Sequence, residues 1–131
     1  MQEYGAEDID FGLKAWMLGH PILVDPVAWI GHRFNLGTFR YPVQDHHPIA
    51  NFLRSARKIL SDSSWKSWLG PYKAIHSARL WAKAWKVFSS GNDSLKRERN
   101  YLMRQRIRDE HEYAKRFGIV GQIADVGTVK S

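Results

Sequence analysis

Two adjacent carboxylates are where chemistry could begin in this chain. Glu7 and Asp8 follow the small-residue turn Gly5-Ala6 and open a run in which Ile9, Leu13, Trp16 and Met17 recur at i, i+4, i+7 and i+8. That spacing is the apolar stripe of an amphipathic helix. The acids then stand in its first turn, where the partial positive charge of the helix terminus favours them. Acids so placed serve helix electrostatics alone or serve catalysis. A histidine, His32, follows roughly 25 residues on, after a short apolar stretch, compatible with a site where strand ends meet a helix N-terminus. Asp8-Ile9-Asp10 spells Asp-x-Asp, but on a helix two carboxylates two residues apart point about 200° from each other and cannot share one ion. Asp45-His46-His47 resembles a metal cluster. Nothing at standard ligand spacing completes a set, so acceptor contact or a solvated loop are the other readings.

These residues must be held by the elements around them. Gly19 is placed to end the first helix and Pro21 to stop it running on. Ile22-Leu23-Val24 and, after Asp25-Pro26, Val27-Ala28-Trp29-Ile30 read as two short strands. Residues 35 to 48 read as a loop broken by Asn35, Gly37, Pro42 and Pro48. A helix is expected from Pro48 to about Leu60, with Phe52, Ala56, Ile59 and Leu60 apolar; Ser61-Asp62-Ser63-Ser64 ends it and caps a short piece carrying Trp65 and Trp68. Gly70-Pro71 is a break, and Pro71 to Ser89 is the clearest helix, with Ala74, Ala78, Trp81, Ala82, Trp85 and Phe88 as its stripe. Tryptophans interleaved with Lys83 and Lys86 suit base stacking or a membrane interface, but such tryptophans more often lie in a buried core. A last helix is expected from the Ser89–Asp93 turn to about Phe117, ended by Gly118. Its looser seam is Leu95, Leu102, Met103, Ile107, Ala114 and Phe117.

The order Tyr4-Gly5-Ala6-Glu7-Asp8, Lys14-Ala15-Trp16-Met17-Leu18-Gly19 and Gly31-His32-Arg33-Phe34 resembles the C-terminal part of the catalytic domain in GT-A glycosyltransferases. The likeness is to the family 2 type and the related polypeptide N-acetylgalactosaminyltransferases and β-1,4-galactosyltransferases. It runs on through Phe39-Arg40-Tyr41-Pro42 into Asn51–Ala56, covering about the first 60 residues. The resemblance implies that Asp8 is the general base that takes the acceptor hydroxyl's proton, with Glu7 as its orienting partner. It implies His32 as a ligand to a divalent metal, Mn2+ or Mg2+, beneath the donor diphosphate, and Arg33 and Tyr41 as contacts to the nucleotide-diphospho-sugar. A hydroxyl needs a positioned base, and a leaving diphosphate needs a cation. The segment 35 to 47 is placed to close over the donor as a lid. Ala6 departs from the family's second glycine, tolerable while that residue keeps a negative φ. The nucleotide-binding half, with its own Asp-x-Asp, would lie upstream, which makes the chain the back half of such an enzyme and inactive in isolation. The fold class expected is α+β and mostly helical: a C-terminal part of a GT-A fold with an N-terminal helix, two short strands and about three helices. Residues 1–48 form the catalytic part, 49–118 a helical region and 119–131 a tail.

At 131 residues with 44% hydrophobic and 13% aromatic content, the chain can bury a core and is not of disordered composition. It contains no cysteine, which excludes disulfides and thiolate metal sites and fits a cytoplasmic location, with peripheral contact to a membrane. No signal peptide and no apolar run long enough to span a bilayer is legible. Residues 1 to 30 hold Lys14 against Glu3, Glu7, Asp8, Asp10 and Asp25, so they carry −4 and the remainder +11 of the overall net charge of +7. That basic body suits nucleic acid, an anionic membrane face or a phosphorylated acceptor, while the resemblance implies a saccharide, lipid-linked or protein acceptor. The alternative function is a non-catalytic basic helical module that binds nucleic acid, an anionic membrane or a partner protein. No DNA- or RNA-binding signature supports the first of these.

Overall fold

The computed structural model describes residues 5–29 and 44–119. Among them the chain forms six helices: α1 (Glu7–Met17), α2 (His46–Ile59), α3 (Asp62–Ala74), α4 (Ala78–Ser90), α5 (Asn92–Gln105) and α6 (Glu110–Arg116).

α2 is the element around which the others pack. Ile49, Ala50 and Leu53 of α2 meet Trp81, Ala84 and Phe88 of α4 and Leu95 of α5 in one buried cluster. At its far end, Ile59 joins Met17 of α1 and Leu102 of α5 in a second. A helix covered on several sides is buried beyond a single stripe, which is why Asn51, Ser55 and Lys58 of α2 are buried along with its apolar residues. Trp65, Trp68 and Tyr72 of α3 line the edge of the first cluster, Trp68 and Tyr72 stacking at 4.4 Å.

The α+β expectation is corrected: the described residues are all helical and contain no strand. Residues 22–24 and 27–29 carry the apolar, branched composition of strands, yet Leu23 is 84% and Trp29 96% exposed. A strand exists by pairing with a neighbour, and an isolated pair is marginal. Here Asp25 takes the local bonds instead, accepting from the Val27 N–H at 2.9 Å in the manner of an Asx turn.

Three further boundaries differ from expectation. Pro71 lies inside α3: its missing N–H costs one helical bond, and the break falls at Ile75–Ser77, where Ser77 caps α4 by accepting from the Leu80 N–H at 3.4 Å. Asp45-His46-His47 is the start of α2 and not a loop, because Pro48 is tolerated in a first turn whose N–H groups have no helical partners. The last helix is two. Arg106 turns extended, and the backbone N–H groups of Ile107 and Arg108 donate to the Met17 carbonyl at 2.9 and 3.2 Å. Asp109 then restarts the chain as α6 with a full capping box against Glu112.

The predicted stops hold. After α1, Gly19 N–H donates to Trp16 O and His20 N–H to Ala15 O, both at 2.9 Å. With Gly19 at φ +86 this is a Schellman ending. Gly118, at φ +62, ends α6 in the same way, Ile119 N–H donating to Ala114 O at 2.9 Å.

Candidate functional site

The turn before α1 is a tightly constrained backbone. Gly5 sits at φ +115 against Pro48, where an added Cβ would lie 3.1 Å from the proline Cβ. Ala6 is buried and left-handed, φ 68 and ψ 3, and is the one non-glycine at positive φ among the described residues. That conformation costs an alanine about 1–2 kcal/mol. The expectation that Ala6 keeps a negative φ is therefore overturned. Contact with α2 holds the geometry a glycine would adopt freely. Strain of this kind gathers at sites where the surrounding fold over-determines the backbone.

Both acids emerge from this turn into solvent. The Glu7 carboxylate folds back and accepts the Gly5 N–H at 2.8 Å. Asp8 Oδ1 accepts the Ile9 N–H at 2.9 Å. Glu7 thus fastens the turn, and Asp8 stands exposed at the α1 N-terminus. An exposed carboxylate at a helix N-terminus stands where it can accept a proton from a group brought to it.

Asp10 is the carboxylate that the sequence did not reveal. It is 6% exposed and turned into the molecule. Its Oδ1 pairs with Lys58 Nζ of α2 at 2.6 Å and its Oδ2 with Lys14 Nζ at 2.5 Å. Lys58, also buried, lies 3.4 Å from Glu98 Oε2 of α5. Burial pushes the Asp10 carboxyl up, but the two ammonium groups outweigh it and hold it below the ordinary carboxylate range. Burial keeps Lys58 below the ordinary lysine range even with Asp10 opposing it. The i, i+4 spacing of Asp10 and Lys14 is legible in the sequence; nothing in it names Lys58. The chain of charges locks α1 to α2 and α5, and so fixes where Glu7 and Asp8 stand.

Of the residues expected to form the site, Glu7 and Asp8 lie together on α1. His32, Arg33 and Tyr41, and most of the lid segment, lie outside the described residues. Asp8 and Asp10 diverge as helix geometry requires, one outward and one into the lysine pair. Among the described residues no three histidine or carboxylate side chains converge as metal ligands, the Asp45-His46-His47 group included. No helix among them is long and apolar enough to cross a membrane.

Comparison with known proteins gives one likeness of note. A protein described as probable N-acetylgalactosaminyltransferase 8 from Caenorhabditis elegans is 31% identical over 74 residues. Those residues are 56% of this chain and 16% of that protein, so the chain matches only a small part of its curated relative. The likeness supports a glycosyltransferase relationship over that span. No family model matches the chain, and no solved structure matches it significantly.

Proposed function

We propose that this chain carries the acceptor-activating part of a glycosyltransferase, with Asp8 as the general base. Glu7 positions it by tying the turn to the Gly5 N–H. In this reading Asp8 removes the proton from an acceptor hydroxyl as that oxygen attacks the anomeric carbon of a nucleotide-diphospho-sugar, and the nucleoside diphosphate departs. What supports it is the conjunction of an exposed carboxylate pair on a strained, α2-braced turn with likeness to a glycosyltransferase. The chemistry a divalent ion supplies in such transfers is charge neutralisation on the departing diphosphate. The implied ligand His32 lies outside the described residues, and the described residues offer no ligand set.

The test is Asp8→Asn beside Glu7→Gln in the intact protein, supplied with a panel of nucleotide-diphospho-sugars and read by nucleoside diphosphate release in the presence of acceptor. Loss of a general base lowers kcat by about 10²–10⁴-fold. Asp8→Asn is expected in that range with donor affinity unchanged, and Glu7→Gln is expected to cost less. Turnover by Asp8→Asn at the parent rate would remove Asp8 from the mechanism.

A further inference from the structure

A cleft of about 940 Å³ opens beside Trp16, about 12 Å along the α1 axis from Asp8. Its lining combines the cations Arg108, Lys115 and Arg116 with the apolar Ile22, Leu23 and Phe117. None of the three cations has an ion-pair partner among the described residues. The one acid in the lining, Glu112, has its carboxylate turned to accept the Asp109 N–H at 2.9 Å and complete the α6 capping box, so the cations outnumber it three to one. The cations are also held in place: the guanidinium carbons of Arg108 and Arg116 lie 4.4 and 5.9 Å from the Trp16 ring centre. Trp16 is itself braced edge-on by Tyr113 at 5.7 Å and Phe117 at 5.5 Å. Its indole N–H is buried with no acceptor among the described residues.

A neutral apolar ligand would cover three cations against a single carboxylate and leave the excess positive charge without a partner. A bare anion would leave the apolar lining wet. A molecule with a phosphate at one end and a hydrocarbon chain at the other satisfies both parts of the lining, since a phosphate monoester carries a charge of about −1.5 to −2 near neutral pH. We propose that this cleft binds a phosphorylated amphiphile, its phosphate held by Arg108, Lys115 and Arg116 and its chain laid against Leu23 and Phe117. The site is separate from the Glu7-Asp8 turn and does not depend on Asp8 acting as a base.

The experiment is calorimetric titration of the full chain with dodecyl phosphate below its micelle concentration, beside inorganic phosphate and the neutral detergent dodecyl maltoside. One equivalent of dodecyl phosphate is expected to bind at least tenfold more tightly than either control. Lys115→Glu with Arg116→Glu, both on the exposed face of α6, is expected to weaken it at least tenfold. Leu23→Asn, at a solvent-exposed position, is expected to weaken dodecyl phosphate and leave inorganic phosphate unchanged. Lys83→Glu with Lys86→Glu on α4, away from the cleft, is the control for general charge and is expected to change nothing. The proposal is overturned if dodecyl maltoside or inorganic phosphate binds as tightly as dodecyl phosphate. It is equally overturned if the α4 variant weakens binding as much as the α6 variant, or if the α6 variant binds as before.

Discussion

Lys58 bears more of the structure than any other polar side chain near the candidate site. It is buried at the point where α1, α2 and α5 meet, between Asp10 and Glu98. Removing one member of a buried ion pair leaves the other charge without compensation and costs about 3–5 kcal/mol, whereas replacing both by apolar residues is often close to neutral. Lys58→Ala should therefore lower unfolding stability by about that amount, and Asp10→Leu with Lys58→Met should lower it less than Lys58→Ala alone. Urea denaturation of the three proteins decides this. A single-variant loss below about 1 kcal/mol would mean the pair is solvated like an exposed one. Nothing in the sequence marked Lys58. Its position between Arg57 and Ile59 reads as the polar face of α2, and burial came only from three helices closing around it.

At the scale of elements, the break between α5 and α6 shows a tertiary contact overriding a local pattern. Residues 93 to 117 carry a continuous helical periodicity, but the C-terminal carbonyl of α1 takes two backbone donors, from Ile107 and Arg108, that a continuous helix would have kept. Gly19 lies at the same junction, where an added Cβ would meet the Ile107 side chain. At φ +86 an alanine pays about 1–2 kcal/mol for the left-handed conformation. Gly19→Ala should lower the urea midpoint accordingly, with the Ile107 side chain, exposed and met mainly at its terminal Cδ1, adding little. Gly70→Ala, with open space around its Cα and a helical position in α3, should be neutral or stabilising. If Gly19→Ala proved equally benign, the Schellman ending would not be what positions the α1–α6 junction.

For the molecule as a whole, the buried carboxylates set the response to acid. Asp10 and Glu110 both lie below their ordinary range in the folded state. Burial opposes this in each, and is outweighed by Lys14 and Lys58 for Asp10 and chiefly by hydrogen bonds from Ser61 for Glu110. The Ser61 N–H donates to Glu110 Oε1 at 2.7 Å, joining α6 to the α2–α3 junction. A carboxylate whose folded pKa is depressed contributes stability that is complete above its unfolded value and is lost as pH falls toward the folded one. Stability should therefore be level near neutrality and decline progressively below about pH 5. Asp10→Asn should be less stable at neutral pH and show a shallower decline. Circular dichroism melts across that range check both. A wild-type profile that stays flat to pH 3 would contradict the ionised, paired state of these groups.

The sequence by itself determined some of the helix ends, though not the start of α2 or the breaks before α4 and α6. Gly19, Gly118 and Ser61 act as read, because capping depends on residues within a turn of one another, whereas Ser77 caps α4 inside a stretch that reads as one continuous helix. It likewise determined that Glu7 and Asp8 open α1 and that Asp8 and Asp10 face apart, since both follow from helical geometry. Its account of strands failed at residues 22–29, because strand identity belongs to a pairing partner and not to a run of Ile, Leu and Val. Its stripe on α4 was right at Trp81 and Phe88 and wrong at Ala82: Ala84 is buried and Ala82 exposed, because the packing of α2 chose among faces of similar hydrophobicity. Only the tertiary structure decided that Asp10 and Lys58 are a buried pair, that Ala6 is strained against the α2 packing of its turn, and that three unpaired cations share a cleft with Leu23. Each of these joins residues far apart in the chain, where burial and charge are set by what lies across the gap and spacing carries no signal.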